Sequence, residues 1–173
     1  EFNSYAQSMV VEPPKMKELK EEDMQDNLIP KRHKTGLWGY VNSKKKFVVK
    51  PKFENALPFE GNVARVCHNG KWGIMGRNGL YILEPYFIDS LYEFSADSIA
   101  IFSAYENGMN KHGLINSNGW ICQGLNYESI IIKPFGYLAK DYINKYTTID
   151  KNGNIMLAKE FDNVLPLEDS SMD

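Results

Sequence analysis

Three carboxylates recur at one position of a sequence pattern, and they are the first candidates for catalytic chemistry. Glu54, Glu128 and Asp162 each follow an aromatic residue. Two carboxylates about 5 to 10 Å apart can hydrolyse a glycosidic bond, with one acting as acid and the other as base or nucleophile. A residue that chemistry needs once is not copied into every repeat, whereas an acid that caps a turn is. The recurrence therefore favours a structural role, and we expect no catalytic residue and no enzyme activity.

Cysteine and histidine are too scattered to predict a nucleophile or a metal site. The 2 cysteines, Cys67 and Cys122, form no C-x-x-C arrangement, so no disulfide framework is predicted. The histidines His33, His68 and His112 lack the spacing of metal ligands. We therefore expect no metal and no other cofactor.

The charge balance argues against a general polyanion as partner. The chain has 20 basic and 22 acidic side chains and a net charge of −2. Nucleic-acid binding is driven by counterion release and needs a basic excess, so we expect no nucleic-acid partner. Lys44, Lys45 and Lys46 nevertheless cluster at one predicted hairpin. They are candidate partner-binding residues for an anionic surface, and the alternative is a solvated turn that discourages edge pairing.

An internal repeat supplies the elements that must position these residues. An anchor residue, Trp in the first two units, recurs at intervals of 34, 40 and 34 residues. The anchors and the glycines that follow three of them are Trp38, Gly39, Trp72, Gly73, His112, Gly113 and Tyr146. The longer interval indicates an insertion near residues 105–110, which we expect to be a polar loop. Aromatic residues at matched places in successive units predict a continuous core, in which we expect the anchors to pack.

Each unit has the pattern of short strands joined by tight turns. Asn-Gly follows three of the anchors, at Asn78-Gly79, Asn118-Gly119 and Asn152-Gly153, and an apolar run comes next. Asn-Gly between apolar runs predicts a hairpin with a type I′ turn. With about three strands per unit, the sequence predicts an all-β antiparallel repeat array of roughly ten strands, a β-solenoid-like meander. A partial propeller-like arrangement is the alternative.

These residues resemble the WG-repeat family of bacterial proteins. The resemblance rests on Gly70-Lys71-Trp72-Gly73 and on a proline 13 residues after each of the first two anchors, Pro51 and Pro85. Choline-binding cell-wall repeats also combine Trp, Gly and aromatic hairpins, but their period is much shorter. The resemblance to WG repeats implies a repeat scaffold, often within a larger, multidomain bacterial protein.

The chain divides into an N-terminal segment and a repeat domain. Residues 1–35 lie outside the repeat, and Pro13-Pro14 followed by spaced apolar residues predicts a short helix there. We expect this helix to cap the first repeat, with a free partner-binding segment as the alternative. Residues 36–173 form the repeat domain, with units at about 36–69, 70–109, 110–143 and 144–167.

The sequence predicts a non-catalytic module for protein–protein interaction or scaffolding, with a protein partner. Trp120 occupies a position that varies between units, so we expect it to point outward. It is a candidate partner contact, and the alternative is a lone surface aromatic residue without a role. The alternative function is glycan or cell-wall binding through exposed aromatic residues. The sequence contains no apolar stretch long enough to predict a membrane span.

Overall fold

The computed structural model describes residues 11–161, and the regular structure in them is almost entirely antiparallel β-sheet. The first sheet has the order β1 (Ile29–Arg32), β2 (Trp38–Val41), β3 (Phe47–Phe53). The second has the order β4 (Asn55–Glu60), β5 (Val63–His68), β6 (Lys71–Gly76), β7 (Tyr81–Ile88). The third has the order β8 (Ser90–Leu91), β9 (Ile99–Glu106), β10 (Met109–Asn116), β11 (Ile121–Tyr127). The fourth has the order β12 (Ser129–Lys133), β13 (Gly136–Lys140), β14 (Tyr146–Asp150), β15 (Ile155–Phe161). The predicted all-β antiparallel repeat array is confirmed.

Three of the four sheets contain one strand more than the predicted unit. The additional strands are β4, β8 and β12, which begin at the residue after Glu54, Asp89 and Glu128. Each full sheet therefore begins inside one sequence repeat and ends inside the next, as the second sheet does between Asn55 and Ile88. The prediction of roughly ten strands was too low, because the described residues contain fifteen.

Each pair of consecutive sheets encloses its own hydrophobic core. The core between the first and second sheets contains Leu28, Tyr40, Val49, Phe53, Ala56, Ala64, Val66 and Met75. The core between the second and third contains Val63, Ile74, Ile88, Leu91, Ala100, Phe102 and Ile115. The core between the third and fourth contains Ile99, Leu114, Tyr127, Tyr137, Ala139 and Ile149. Burial of apolar surface therefore holds each sheet to its neighbours in the array.

The anchors occupy equivalent places but flank these cores rather than form them. Trp38 pairs with Phe53 and His112 pairs with Tyr127, each 15 residues later. Trp38 and Trp72 are half-buried and pack against different cores. In the first three units, both the second and the third residue after the anchor are buried. They are Tyr40 and Val41, Ile74 and Met75, and Leu114 and Ile115. The expectation of a continuous column of packed anchors is therefore corrected.

A β-bulge explains why glycine follows the anchor. In each sheet the strand that contains the anchor pairs with the last strand of the sheet, which we call the outer strand. The register between these two strands shifts twice just after the anchor, so the outer strand bows toward its partner. A Cβ atom on Gly39 would lie 2.3 Å from the carbonyl oxygen of Val49, and one on Gly73 would lie 2.5 Å from that of Leu83. Only glycine fits beneath the backbone at these two places, whereas the fourth unit has Thr147 beside its bulge.

The hairpin turns differ from the type I′ prediction at the Asn-Gly pairs that follow the anchors. Gly79 has φ +78°, but Asn78 does not have a positive φ. The amide of Gly79 donates to the carbonyl of Gly76, and the amide of Gly76 donates to that of Leu80. This is a three-residue loop, a type I turn closed by one left-handed residue. By contrast, Asn69-Gly70 has positive φ at both residues, +49° and +69°, as a type I′ turn requires.

The first of these turns has lysine where the others have glycine, and this predicts a stabilising substitution. Lys45 has φ +60°, a conformation that costs an L-residue with a side chain about 1 kcal/mol. We expect Lys45→Gly to raise the free energy of unfolding by about 0.5–1 kcal/mol in urea denaturation. Lys44→Gly is the control, since it removes the same charge from a position without positive φ, and it should lower the free energy. Equal effects of the two substitutions would contradict the turn assignment.

The insertion near residues 105–110 is a hairpin extension and not a loop. Met109 pairs with Glu106, and Asn110 pairs with Tyr105. Asn107 and Gly108 both have positive φ, so a type I′ turn lets both strands continue to the tip. The polar composition concealed this, because a protruding hairpin is solvated on both faces.

The N-terminal segment contains the predicted short helix. The helix α1 covers Glu21–Met24, and residues 11–20 before it have no regular structure. Their backbone bonds the sheets instead, since Leu19 N donates to Asn78 O and Lys52 Nζ donates to Lys15 O. Within residues 11–161, no helix has the length and apolar content needed to cross a bilayer.

Candidate functional site

The recurring carboxylates form hydrogen bonds or ion pairs with residues of the hairpin that follows them. Glu54 accepts a hydrogen bond from the amide of Gly70 at 2.9 Å, and this amide belongs to the turn between β5 and β6. Glu128 forms an ion pair with Lys140 at 2.7 Å on the adjoining strand. Each acid therefore ties the start of a sheet to its next hairpin. Asp162, the third predicted member, lies outside the described residues.

Asp89 is a further member of this set of recurring carboxylates, and comparison of the repeats in the sequence missed it. It accepts a hydrogen bond from the amide of Tyr105 at 2.6 Å and pairs with Lys71. Its own amide donates to Ser103 O, as that of Glu54 does to Cys67 O. One extra residue in β7 had hidden the equivalence, because Trp72 pairs with Ile88, 16 residues later. A capping role in three sheets explains the recurrence without catalysis.

The two thiols lie in environments that give them little reactivity. Burial raises the pKa of the Cys67 thiol and also that of the half-buried Cys122. A thiol with a raised pKa forms less of the nucleophilic thiolate. Nδ1 of His112 is buried and has no hydrogen-bond partner among the described residues. In the same part of the chain, no group of three or more potential ligands is placed to hold a metal ion.

The predicted lysine cluster lies beside acids of the N-terminal segment. Lys44, Lys45 and Lys46 are exposed on the loop between β2 and β3. Asp26 accepts hydrogen bonds from the amide of Ser43 at 3.0 Å and from its hydroxyl at 2.8 Å. A groove of about 410 Å³ beside this loop is lined by both signs of charge. The side chains that line it include Lys17, Lys20, Lys44, Lys46, Lys50, Glu18, Glu22, Asp23 and Asp26. The local field is therefore mixed rather than basic.

The contact between Asp26 and Ser43 predicts that docking of the N-terminal segment depends on pH. The two hydrogen bonds from Ser43 hold the pKa of Asp26 below its ordinary value. A lowered pKa in the folded state gives stabilisation that is complete above the unfolded value of about 4. It is lost as the pH falls through the folded value.

We expect the difference in free energy of unfolding between the wild type and Asp26→Asn to shrink as the pH falls from about 5 to about 3. Urea denaturation at several pH values measures it. Ser43→Ala is the control, because it removes one of the two donors and should reproduce part of the difference. A difference that does not change with pH would contradict the assigned role of Asp26.

Trp120 is the most exposed large aromatic side chain of the described residues, at 73%. Its amide donates to Asn116 Oδ1 at 3.0 Å, which fixes the backbone beneath it. The preceding Gly119 lies against the second sheet, where a Cβ atom would be 3.2 Å from Cγ2 of Ile82. Ile82, Trp120 and Ile121 are all exposed, and we call them the Trp120 patch. The outward position expected for Trp120 is what the structure shows, and its role in binding stays a prediction.

A second exposed apolar group was missed by sequence reasoning. Tyr142 donates its hydroxyl to Asn110 O at 2.8 Å, so it lies against the extended β9–β10 hairpin. Tyr105 stands opposite Asn110 on that hairpin and is 68% exposed. The only sequence signal was the aromatic residue inside the insertion, and the loop interpretation gave it no fixed position.

Comparison with known protein families agrees with the repeat geometry. The model of the family described as WG containing repeat matches residues 38–72 and 146–170. Each match begins at an anchor, Trp38 or Tyr146. At these residues β2 pairs with β3 and β14 pairs with β15. No curated protein matches the chain. These two stretches therefore match the WG-repeat family, as the resemblance seen in the sequence predicted.

Proposed function

We propose that this chain is a non-catalytic scaffold that binds a protein partner, as a module of a larger bacterial protein. The observation that carries the proposal is the use of the recurring polar residues. Glu54, Asp89 and Glu128 all serve hairpins, so the repeat accounts for them without a reaction. What the array offers to other molecules is its surface.

The Trp120 patch is the surface that best fits a protein partner. Trp is enriched among the residues that dominate binding energy at interfaces, because it buries a large area at a small cost in side-chain entropy. Ile121 follows it in the chain, Ile82 lies against Gly119, and both are exposed apolar residues on two different sheets. The hydrogen bond from the Trp120 amide to Asn116 Oδ1 holds its backbone, so little order has to be gained on binding.

The lysines of the first hairpin have an accessory role in this proposal. Lys44, Lys45 and Lys46 are exposed, and a partner with an acidic surface would approach them through long-range attraction. The acids of the N-terminal segment limit this attraction to a local one. We expect changes at these lysines to alter association rates more than affinity.

The N-terminal segment acts as a cap in this proposal. Leu19 fills the space between the first and second sheets, where a Cβ atom on Gly79 would be 2.7 Å from its Cγ. Between the second and third sheets the equivalent glycine, Gly119, lies directly against Ile82 of β7. Met16 also packs against the first core. Apolar side chains of the segment thus cover part of the first two sheets.

Affinity capture from the native host tests the proposed function. The wild-type chain and Trp120→Ala are each immobilised and exposed to lysate, and retained proteins are identified by mass spectrometry. Tyr92→Ala is the matched control, because Tyr92 is 53% exposed on another part of the surface. We expect a protein retained by the wild type and the control to be lost with Trp120→Ala. An identical set of retained proteins with all three baits would overturn the role of the patch.

Glycan binding is the second candidate, and the exposure of the Trp120 indole favours it. Sugar rings stack on exposed aromatic faces, and Trp120 presents most of its surface to solvent. A glycan array probed with the wild type and with Trp120→Ala separates the two functions. A sugar bound by the wild type and lost with the variant would replace the protein partner in our proposal.

A further inference from the structure

The first sheet has an open edge where the other sheets have a strand. It contains three strands and each of the others contains four. Within residues 11–161, β1 pairs with β2 alone. Its equivalent in the second sheet is β5, because Arg32 stands opposite Trp38 as Cys67 stands opposite Trp72. The other edge of β5 holds β4, so the open edge of β1 is the place of a strand like β4.

The sequence of β4 occurs again near the C-terminus. The strand β4 reads Asn-Ala-Leu-Pro-Phe-Glu, and residues 163–168 read Asn-Val-Leu-Pro-Leu-Glu. The two family matches place these stretches at the same distance from their anchors. Residues 163–168 lie outside the described part of the chain, and it is their sequence that repeats β4.

Pro30 is compatible with a strand on this edge. Proline cannot donate a backbone hydrogen bond, so it normally protects an edge strand from pairing. Pro30 is equivalent to Arg65, since each stands opposite the residue two after its anchor. Arg65 has no paired residue in β4, because the register shifts there between Ala56 and Phe59. A strand with the same bulge as β4 would therefore need no backbone hydrogen bond from position 30.

Burial and charge at the edge also favour this occupant. Ile29 is 51% exposed, whereas the equivalent Ala64 is 1% exposed beneath β4. Lys31 and Arg32 make the edge basic. The segment around residues 163–168 is acidic, with Asp162, Glu168 and Asp169. Its apolar residues would cover Ile29, and its acids would face the two cations.

We propose that residues 163–168 of one copy add as a strand to β1 of a second copy, so that copies of this chain join head to tail. The cores of the described residues join consecutive sheets, and none joins the first sheet to the fourth. A second copy supplies the missing neighbour for both. Such a contact uses two different surfaces and can repeat. It involves the ends of the array and not the Trp120 patch, so it goes beyond the proposed function.

Mixing two variants of the full chain tests this proposal. Ile29→Asp places a charge on the edge and leaves the segment intact. Val164→Asp combined with Leu167→Asp alters the segment and leaves the edge intact. Ser170→Asp combined with Ser171→Asp is the matched control for added charge. Size-exclusion chromatography with light scattering measures the mass of each protein over a range of concentrations.

We expect the mass of the wild type and of the control to rise with concentration. Each of the other two variants should stay monomeric alone, and their mixture should form a dimer and nothing larger, because one intact contact remains. Dimer formation in the mixture would also show that both variants fold. A synthetic peptide of residues 161–170 in excess should return the wild type to monomer.

Three results would overturn the proposal. They are a wild type that is monomeric at every concentration, a mixture that forms no dimer, and a peptide that leaves the mass of the wild type unchanged. A monomer whose melting temperature falls with either variant would place the strand on the edge of its own chain instead.

Discussion

Replacing Gly73 with alanine is expected to lower the free energy of unfolding by about 3 kcal/mol, because the added methyl has no space. Its Cβ atom would lie 2.5 Å from the carbonyl oxygen of Leu83 and 2.8 Å from the nitrogen of Pro85. Both contacts are with backbone atoms of the bulged outer strand, which cannot rotate away. Relief requires the bulge itself to move, and Ile74 in the adjoining core would move with it. Urea denaturation followed by circular dichroism measures the loss.

Gly124→Ala is the matched control for this prediction. Gly124 also lies in a strand, but a Cβ atom there would meet only the side chain of Asn126, at 3.4 Å. We expect this substitution to change the free energy of unfolding by less than about 1 kcal/mol. Similar losses for the two alanine variants would show that the bulge yields easily and that the glycine after the anchor has another cause.

Arg65→Met is expected to lower the free energy of unfolding by about 2 kcal/mol, because it breaks a network that links the second and third sheets. Arg65 donates from Nε to Glu60 Oε1 at 2.9 Å and from Nη1 to Leu91 O at 3.0 Å. Glu60 also accepts from the amide of Phe94 at 2.9 Å. The side chains of Arg65 and Glu60 are only 12% and 23% exposed, so methionine would leave a largely buried carboxylate without its cation.

Two measurements distinguish this network from simple packing. Lys133→Met is the control, since Lys133 is exposed, and we expect it to change the free energy of unfolding by less than about 0.5 kcal/mol. Hydrogen exchange in Arg65→Met should accelerate at Leu91 to Phe94, where the second sheet holds the third. Unchanged exchange there, together with a small loss of stability, would show that the cores alone hold the sheets together.

The parts of the fold that were predictable are those set by local chemistry. Asn-Gly pairs, apolar runs and recurring anchors placed the hairpins of β2–β3, β6–β7 and β10–β11, because tight turns demand particular residues. The turn type was wrong after the anchors, since φ at the asparagine depends on the loop length and not on the dipeptide. The strand β4 was missed because Pro58 and the bulge around it break the alternation that identifies a strand.

The candidate site was predictable where a position varied and obscure where units differed in length. Trp120 stood out because the equivalent residues of the other units are unrelated to it, and it is exposed. Asp89 was not recognised as one of the recurring acids because β7 holds one additional residue. The position of Tyr142 depended on the β9–β10 hairpin, which sequence reasoning treated as irregular. Residues of different units can be aligned only where the units have equal lengths. The units differ in length at β7 and at the β9–β10 hairpin.

The lengthened β9–β10 hairpin shows where this architecture tolerates change. Its added residues project from the sheet, while Gly119 and Gly153 keep contact with Ile82 and Cys122 on the preceding sheets. The cores and these contacts set the spacing between sheets, whereas the hairpin meets the next sheet through the hydrogen bond from Tyr142 to Asn110 O. Evolution can thus enlarge or replace a tip in one unit while the packing between sheets stays unchanged. New recognition surfaces are most readily acquired at such tips, one unit at a time.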